Sequence, residues 1–354
     1  MLSEFESTVE LPIISVVLPV FNAERYVDES ICSILDQTFT NFELIIINDG
    51  STDSTLGILE KFKQQDKRVI LVSRENRGLV ETLNEGISIA RGKWLARMDA
   101  DDIALPNRFE QQLKWLKSTG ADIAGSWVRC FGASDKRVIR RSQTDEGIKM
   151  AMLFCSPFAH PSVMMKTELV RQLSYDKAWQ QAQDYDLWVR AVEAGWKMTN
   201  VPEVLLLYRL HESQISNQKL QQQRQFALQI QRRYWQYVFR NMQLDQRLID
   251  DVLDIYELTA WSPNMDTVDA VFHELLRRNH GEARATVLEH ATSLYIRASA
   301  NCPDIVARWG KLHREYGKGL GLATKINLWM FQFLRIRMDG NLYNILKKIY
   351  IWIT

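Results

Sequence analysis

Along the first hundred residues, short runs of apolar and β-branched residues alternate with longer segments of helical spacing. The runs are 13–18 (IISVVL), 42–47 (FELIII), 69–72 (VILV) and 94–98 (WLARM). The first two are nearly continuous, the pattern of parallel strands buried on both faces. Arg97 interrupts the fourth. Segments 24–37, 54–65 and 79–90 have helical spacing, with Asp53 or Ser54 placed to cap the second and Gly92 to follow the third. Strand and helix in repeated alternation predict an α/β domain with a mainly parallel sheet.

Ligands of such sheets bind beyond the carboxyl ends of the strands. Those ends read Pro19-Val20-Phe21-Asn22, Asn48-Asp49-Gly50-Ser51, Arg74-Glu75-Asn76-Arg77-Gly78 and Asp99-Ala100-Asp101-Asp102. Polar or acidic residues stand at every one. From 121 to 210 the pattern is mixed, with strands expected at 123–128, 161–165 and 204–208 and a helix at 185–194. Beyond 216 helical spacing takes over, starting with the glutamine-rich stretch 219–240. The expected division is a catalytic-type α/β domain over 1–216 and a helical region over 217–354.

Charge and cysteines narrow the classes. A net charge of +1 removes the global electrostatic case for nucleic acid. Cys32, Cys130, Cys155 and Cys302 lie far apart without a CxxC pair, which suits free thiols in a reducing cytoplasm rather than a zinc site or disulfide framework. The acidic start MLSEFESTVELP lacks the apolar core of a secretory signal. No apolar run reaches the roughly 18 to 20 residues of a spanning helix. Membrane contact, if any, is expected to be peripheral and through 325–354, where five basic residues and one acidic one sit among Leu, Ile, Trp, Phe and Tyr. The alternative for that segment is packing or an oligomer contact.

The strongest chemical signal is Asp99-Ala100-Asp101-Asp102. Three carboxylates this close are costly unless solvated or bound to a cation, and they suit a hard divalent ion such as Mg²⁺ or Mn²⁺ shared with substrate phosphates. The plainer alternative is an acidic helix start, with Asp102 capping a helix that begins near Pro106.

The series PVFNAERYVDESICSILDQTFTNFELIIINDGSTDST, ENRGLVETLNEGISIARGKWLARMDADD and LPNRFEQQ, followed by HPSVM, QDYDLWVR and YRLHESQIS, resembles glycosyltransferase family 2 over roughly residues 10 to 216. The resemblance implies a GT-A fold and an inverting, metal-dependent transferase using a nucleotide diphosphate sugar, a UDP-sugar favoured. A glycan or lipid-linked acceptor in bacterial surface polysaccharide synthesis is implied with it. It implies that Pro19, Val20, Phe21 and Asp49 line the nucleobase pocket, that Asn76, Arg77 and Gly78 flank the nucleotide, and that Asp99 faces ribose and diphosphate. Asp101 becomes the principal metal ligand, with Asp102 and His211 as further candidates. Asp184 is the implied general base, with Asp186 as fallback. His160 and Trp179 are candidates for the acceptor side. Many relatives have Glu where this chain has Gln183, just before Asp184. The QxxRW motif and membrane helices of processive synthases are not evident, so a single-addition enzyme is expected.

Two rivals are weaker. A sugar-nucleotide-forming nucleotidyltransferase usually opens with a glycine-rich loop after the first strand, where this chain has PVFNAERY. A non-catalytic sugar-nucleotide-binding relative would be expected to have lost Asp101 or the QDYD acid, and both are present.

Overall fold

The computed structural model describes residues 11–132, 136–211, 220–257, 264–299 and 302–317, together with Ile326, Trp329 and Phe333. They belong to two compact units. The first is Met1–Asp145 with Ser156–Ala227, and the second is Glu146–Cys155 with Leu228–Thr354.

The first unit opens with β1 (Ile14–Val20), α1 (Val27–Leu35), β2 (Phe42–Asp49), α2 (Thr55–Gln65), β3 (Val69–Arg74), α3 (Leu79–Ile89) and β4 (Trp94–Arg97), the order the hydrophobic pattern predicts. All eight residues of β2 are buried, which explains its unbroken apolar run. It continues with β5 (Ile103–Ala104), α4 (Arg108–Thr119), β6 (Ile123–Phe131) and β7 (Val138–Ile139). After α5 (Asp145–Ala151), nearly all of which belongs to the second unit, come β8 (Met164–Lys166), α6 (Thr167–Leu173), α7 (Gln183–Glu193) and β9 (Met198–Arg209).

The sheet order is β3-β2-β1-β4-β8-β6-β9-β5, with β7 on β6. The β1, β2, β3 and β4 strands run parallel, as do β6 and β9, whereas β8 is antiparallel to both β4 and β6. The chain steps outward from β1 to β2 and β3, then returns to place β4 on the other side of β1. That reversal is a topological switch point, where open α/β sheets form a ligand crevice beyond the strand ends.

Several local expectations fail for stated reasons. Pro161 and Ser162 sit in a short 3₁₀ turn, so β8 starts at Met164 rather than 161. The β9 strand is longer than expected and passes Pro202 through an irregular register, Ser126 opposing Val201 and Trp127 opposing Val204. Proline has no ladder donor, and the bulge accommodates it. Gly92 follows α3 as expected, but the C-cap is Ala90. A Cβ on Gly92 would lie 2.6 Å from the Ser15 amide, so close approach of two backbones demands the glycine. Ser54 occupies the N-cap of α2 without a side-chain bond, while Asp53 accepts from the Thr55 amide at 3.0 Å.

Gly50 is required twice over. Its φ is +74°, and a Cβ would lie 2.6 Å from the Asn76 amide nitrogen. Gly50→Ala is expected to destabilise the protein by about 1–3 kcal/mol in equilibrium urea denaturation. Gly57→Ala, in open space within α2, is the control and lowers stability not at all.

The second unit contains most of α8 (Leu220–Met242), then α9 (Leu248–Glu257), α10 (Met265–Arg278), α11 (Gly281–Ala298) and α12 (Ile305–Tyr316). Its core includes Trp235, Phe239, Phe272, Tyr295 and Trp309, with Trp309 stacked on Tyr295 at 4.3 Å between ring centroids. Residues 146–155 join this unit because the Leu153 carbonyl accepts from both Gln231 and Trp235. No pattern in the sequence marks that excursion. Among the described residues no helix is long and apolar enough to cross a membrane. The expected membrane-contact segment 325–354 lies outside the described residues except for Ile326, Trp329 and Phe333, which are exposed and helical.

Candidate active site

The loops after β1 and β2 are bound to each other by side chains reaching across. The Asn22 amide donates to Ser51 Oγ and the Ala23 amide to Thr55 Oγ1, both at 2.9 Å. In return Asn22 Oδ1 accepts from the Thr52 amide, and Glu24 accepts from the Ser54 amide, both at 2.8 Å. Asn22 holds φ at +47°, a conformation asparagine tolerates better than most residues. This cross-bonding presents Pro19 half-buried, Val20 buried and Phe21 exposed at the end of β1.

Asp49 gathers the third loop onto the first two. Its Oδ1 accepts from the Arg77 amide at 2.8 Å and its Oδ2 from the Gly78 amide at 2.9 Å, and Arg74 pairs with it directly. These three bonds leave about one of its four lone-pair sites, on Oδ2, for a ligand. The Asn76 and Arg77 side chains are exposed beside it.

The carboxylate oxygens of Asp99, Asp101 and Asp102 lie within 4.8 Å of one another. Arg97 grips Asp99 with both guanidinium arms, Nη1 to Oδ2 and Nη2 to Oδ1, each at 2.5 Å. Asp101 Oδ2 meets His211 Nε2 at 2.8 Å. Asp102 does not cap a helix. It is fully buried, with Oδ1 accepting from the Arg209 amide at 2.8 Å, and α4 starts six residues later at Arg108. Its Oδ2 is buried with no hydrogen-bond partner.

Burial, then the neighbouring Asp99 and Asp101, push the Asp102 carboxyl well above the usual range. Burial also raises Asp99, against the opposing pull of Arg97. An unmatched buried oxygen costs about 1–3 kcal/mol. Oxygen donors clustered in a turn, one lacking a partner, fit a hard divalent cation.

The segment after β9 is fastened over this turn. Arg209 donates from Nε to the Asp101 carbonyl at 2.7 Å, pairs with Glu29, and packs its guanidinium over the rings of Tyr26 and Phe131 at 4.5 and 4.3 Å. His211 follows two residues later, its ring 5.1 Å from that of Tyr26.

Asp184 and Asp186 stand two positions apart on α7, so their side chains diverge by about 200°. Asp186 is fully buried and pairs with Arg190 at 2.7 Å, and Arg190 in turn donates to the Leu173 and Ser174 carbonyls at the end of α6. Its geometry is that of a strut. Asp184 is half-buried, accepts from Ser156 Oγ at 3.3 Å and lies within the electrostatic reach of Asp99 and Arg97. Burial raises its carboxyl above the ordinary range.

His160 meets the Tyr175 hydroxyl at 2.7 Å and packs against Trp188. Burial, then Arg97, push its imidazole well below the usual range, so it is neutral at pH 7. Trp179 sits in a 3₁₀ turn capped by Asp176 and packs edge-on against Phe226.

The acidic turn and His211 are thus brought together, with Arg97 linking them electrostatically to Asp184 and His160. Asp49 and the loop 76–78 form a second group. Arg97, Tyr175, Ser156 and Arg209 were not singled out from sequence. For Arg97 the signal was present: a cation in an apolar strand, two residues before the acidic turn. Tyr175 and Ser156 lie in irregular segments without one.

Residues 15–174 match the family profile of Glycosyl transferase family 2. An uncharacterized glycosyltransferase of Haemophilus influenzae is 36% identical over 264 residues, 70% of this chain and 81% of that protein. The O-antigen biosynthesis glycosyltransferase WbnJ of Escherichia coli is 32% identical over 206 residues, 57% of this chain and 81% of WbnJ. The mannosyltransferase PcManGT from Pyrobaculum calidifontis, solved with GDP-Man and Mn²⁺, superposes with a TM-score of 0.51 at 15% identity, covering 92% of this chain and 88% of that one.

A mixed sheet with flanking helices defines the GT-A fold, and the sequence relatives make the protein a glycosyltransferase. The chain belongs to glycosyltransferase family 2.

Proposed function

We propose that the enzyme transfers a sugar from a nucleoside diphosphate sugar, the uridine series favoured, to an acceptor hydroxyl with inversion, using Mn²⁺ or Mg²⁺. The observation that carries this reading is the cluster Asp99, Asp101 and Asp102 with the partnerless buried oxygen of Asp102. Asp101 and Asp102, with His211 beside them, would hold the cation. When bound, such an ion neutralises charge developing on a departing diphosphate. Asp49 and the backbone at Pro19, Val20 and Phe21 receive the nucleobase, Asn76, Arg77 and Gly78 flank the nucleotide, and Asp99 faces ribose and diphosphate.

Asp184 takes the proton of the acceptor hydroxyl as the new glycosidic bond forms, the one base that a single displacement requires. Asp186, buried against Arg190, holds α7 in place rather than meeting the acceptor. His160 and Trp179 border the acceptor side. The similarity to WbnJ supports a role in bacterial surface polysaccharide synthesis, with a glycan or lipid-linked acceptor.

Calorimetric titration of the purified protein with nucleoside diphosphates and their sugars, with and without Mn²⁺, tests the proposal. Binding of one base series that requires Mn²⁺ is the expected result. Binding that ignores the metal, or no binding across the panel, overturns the metal-dependent donor site.

A further inference from the structure

We propose that Arg97 is a positioning residue of the transfer reaction. Its buried guanidinium orients the Asp99 carboxylate and sets one fixed positive charge between the acidic turn and Asp184. The inference rests on the donor-site reading above.

Arg97 ends β4 opposite Val17 of β1, its side chain only 4% exposed, and its amide donates to the Val163 carbonyl at 3.0 Å. Leu95 and Ala96, the residues before it on the strand, are buried apolar side chains, as a core strand requires. A guanidinium at this depth is costly unless its surroundings repay it. Both arms are given to Asp99 in a fork, the geometry that fixes a carboxylate in plane as well as in place. The Nε remains buried without a partner, so hydrogen bonding to the fold does not account for the residue.

Its charge reaches further than its bonds. Asp99, Asp102, Asp184, His160 and Tyr175 all lie within its electrostatic influence. Arg108, also buried, feels the charge of Asp102 but gives its hydrogen bonds to Gln112, the Met98 sulfur and the Arg97 and Val163 carbonyls, with no carboxylate among those hydrogen-bond partners. Arg209 is committed to Glu29 and the Asp101 carbonyl. Arg97 is therefore placed to hold Asp99 in position to meet the donor, and its charge opposes the rise that burial imposes on Asp184.

Arg97→Lys retains the charge and loses the fork, whereas Arg97→Met loses both, and this separates the two roles. Mn²⁺-dependent nucleotide affinity and single-turnover transfer rates are measured for both variants and the wild type, with thermal melts to confirm folding at the assay temperature. The expected result is nucleotide affinity about tenfold weaker in both variants. The transfer rate is expected to fall within about fivefold for Arg97→Lys and about 100-fold for Arg97→Met, the scale of losing one preorganised charge. Equal rates in the two folded variants would overturn the charge role, and wild-type affinity in Arg97→Lys would overturn the orienting role even if Arg97→Met fails to fold. A wild-type protein that binds no nucleotide overturns the donor-site reading and this inference with it, an outcome distinct from failure in the variants alone.

Discussion

Asp184→Asn is expected to lower kcat by about 10²–10⁴-fold, the contribution of a positioned general base, while Mn²⁺-dependent nucleotide binding stays within about threefold of wild type. Asparagine keeps the shape of the side chain and its contact with Ser156 but accepts no proton. The same residue governs the acidic side of the pH profile. Burial raises its carboxyl, and a base acts only when ionised. The rate constant kcat/KM should therefore rise with pH through a midpoint above the ordinary carboxylate range and then level off. Asp184→Asn should abolish that limb along with the rate. Asp186→Asn offers the contrast: with Asp186 fully buried against Arg190, its replacement should reduce thermal stability and leave the position of the acidic limb unchanged. If Asp184→Asn retains wild-type kcat under single-turnover conditions, the base lies elsewhere.

Asp101→Asn is expected to weaken Mn²⁺-dependent nucleotide binding by about 100-fold or more and kcat by about 10²–10³-fold. Outer-shell changes at metal sites cost about 10–100-fold, so a direct carboxylate ligand stands at or beyond the upper end. Asp101 is partly exposed and its partner is His211, so the substitution removes charge from the turn without opening the core. Stability should accordingly change little. Manganese titrations of nucleotide affinity in the variant and wild type measure the effect. Equal metal dependence in the two proteins would transfer the ligand role from Asp101 to its neighbours.

The family resemblance and the order of elements from β1 to β4 were legible from residues alone because buried parallel strands leave unbroken apolar runs. Four apolar runs, two of them nearly continuous, separated by helical spacing, admit few arrangements. The chemistry was also local at one place, since three carboxylates within four residues leave a mark that no folding is needed to see. Elements two to seven residues long, such as β5, β7, α5 and α6, escaped because they are too short for any period to emerge. The choice between Asp184 and Asp186 was likewise open in the string QDYD. Only packing set one beside Ser156 and buried the other against Arg190.

By itself the sequence determined the α/β class, the polar strand ends, and the acidic turn, all properties carried by neighbours along the chain. The tertiary structure alone decided that Asp102 is sealed beneath Arg209 and that His211 returns from 110 residues away to Asp101. Hydrophobic periodicity records which face of each element is buried. It carries no record of which buried charges meet, because that depends on how the sheet orders its strands.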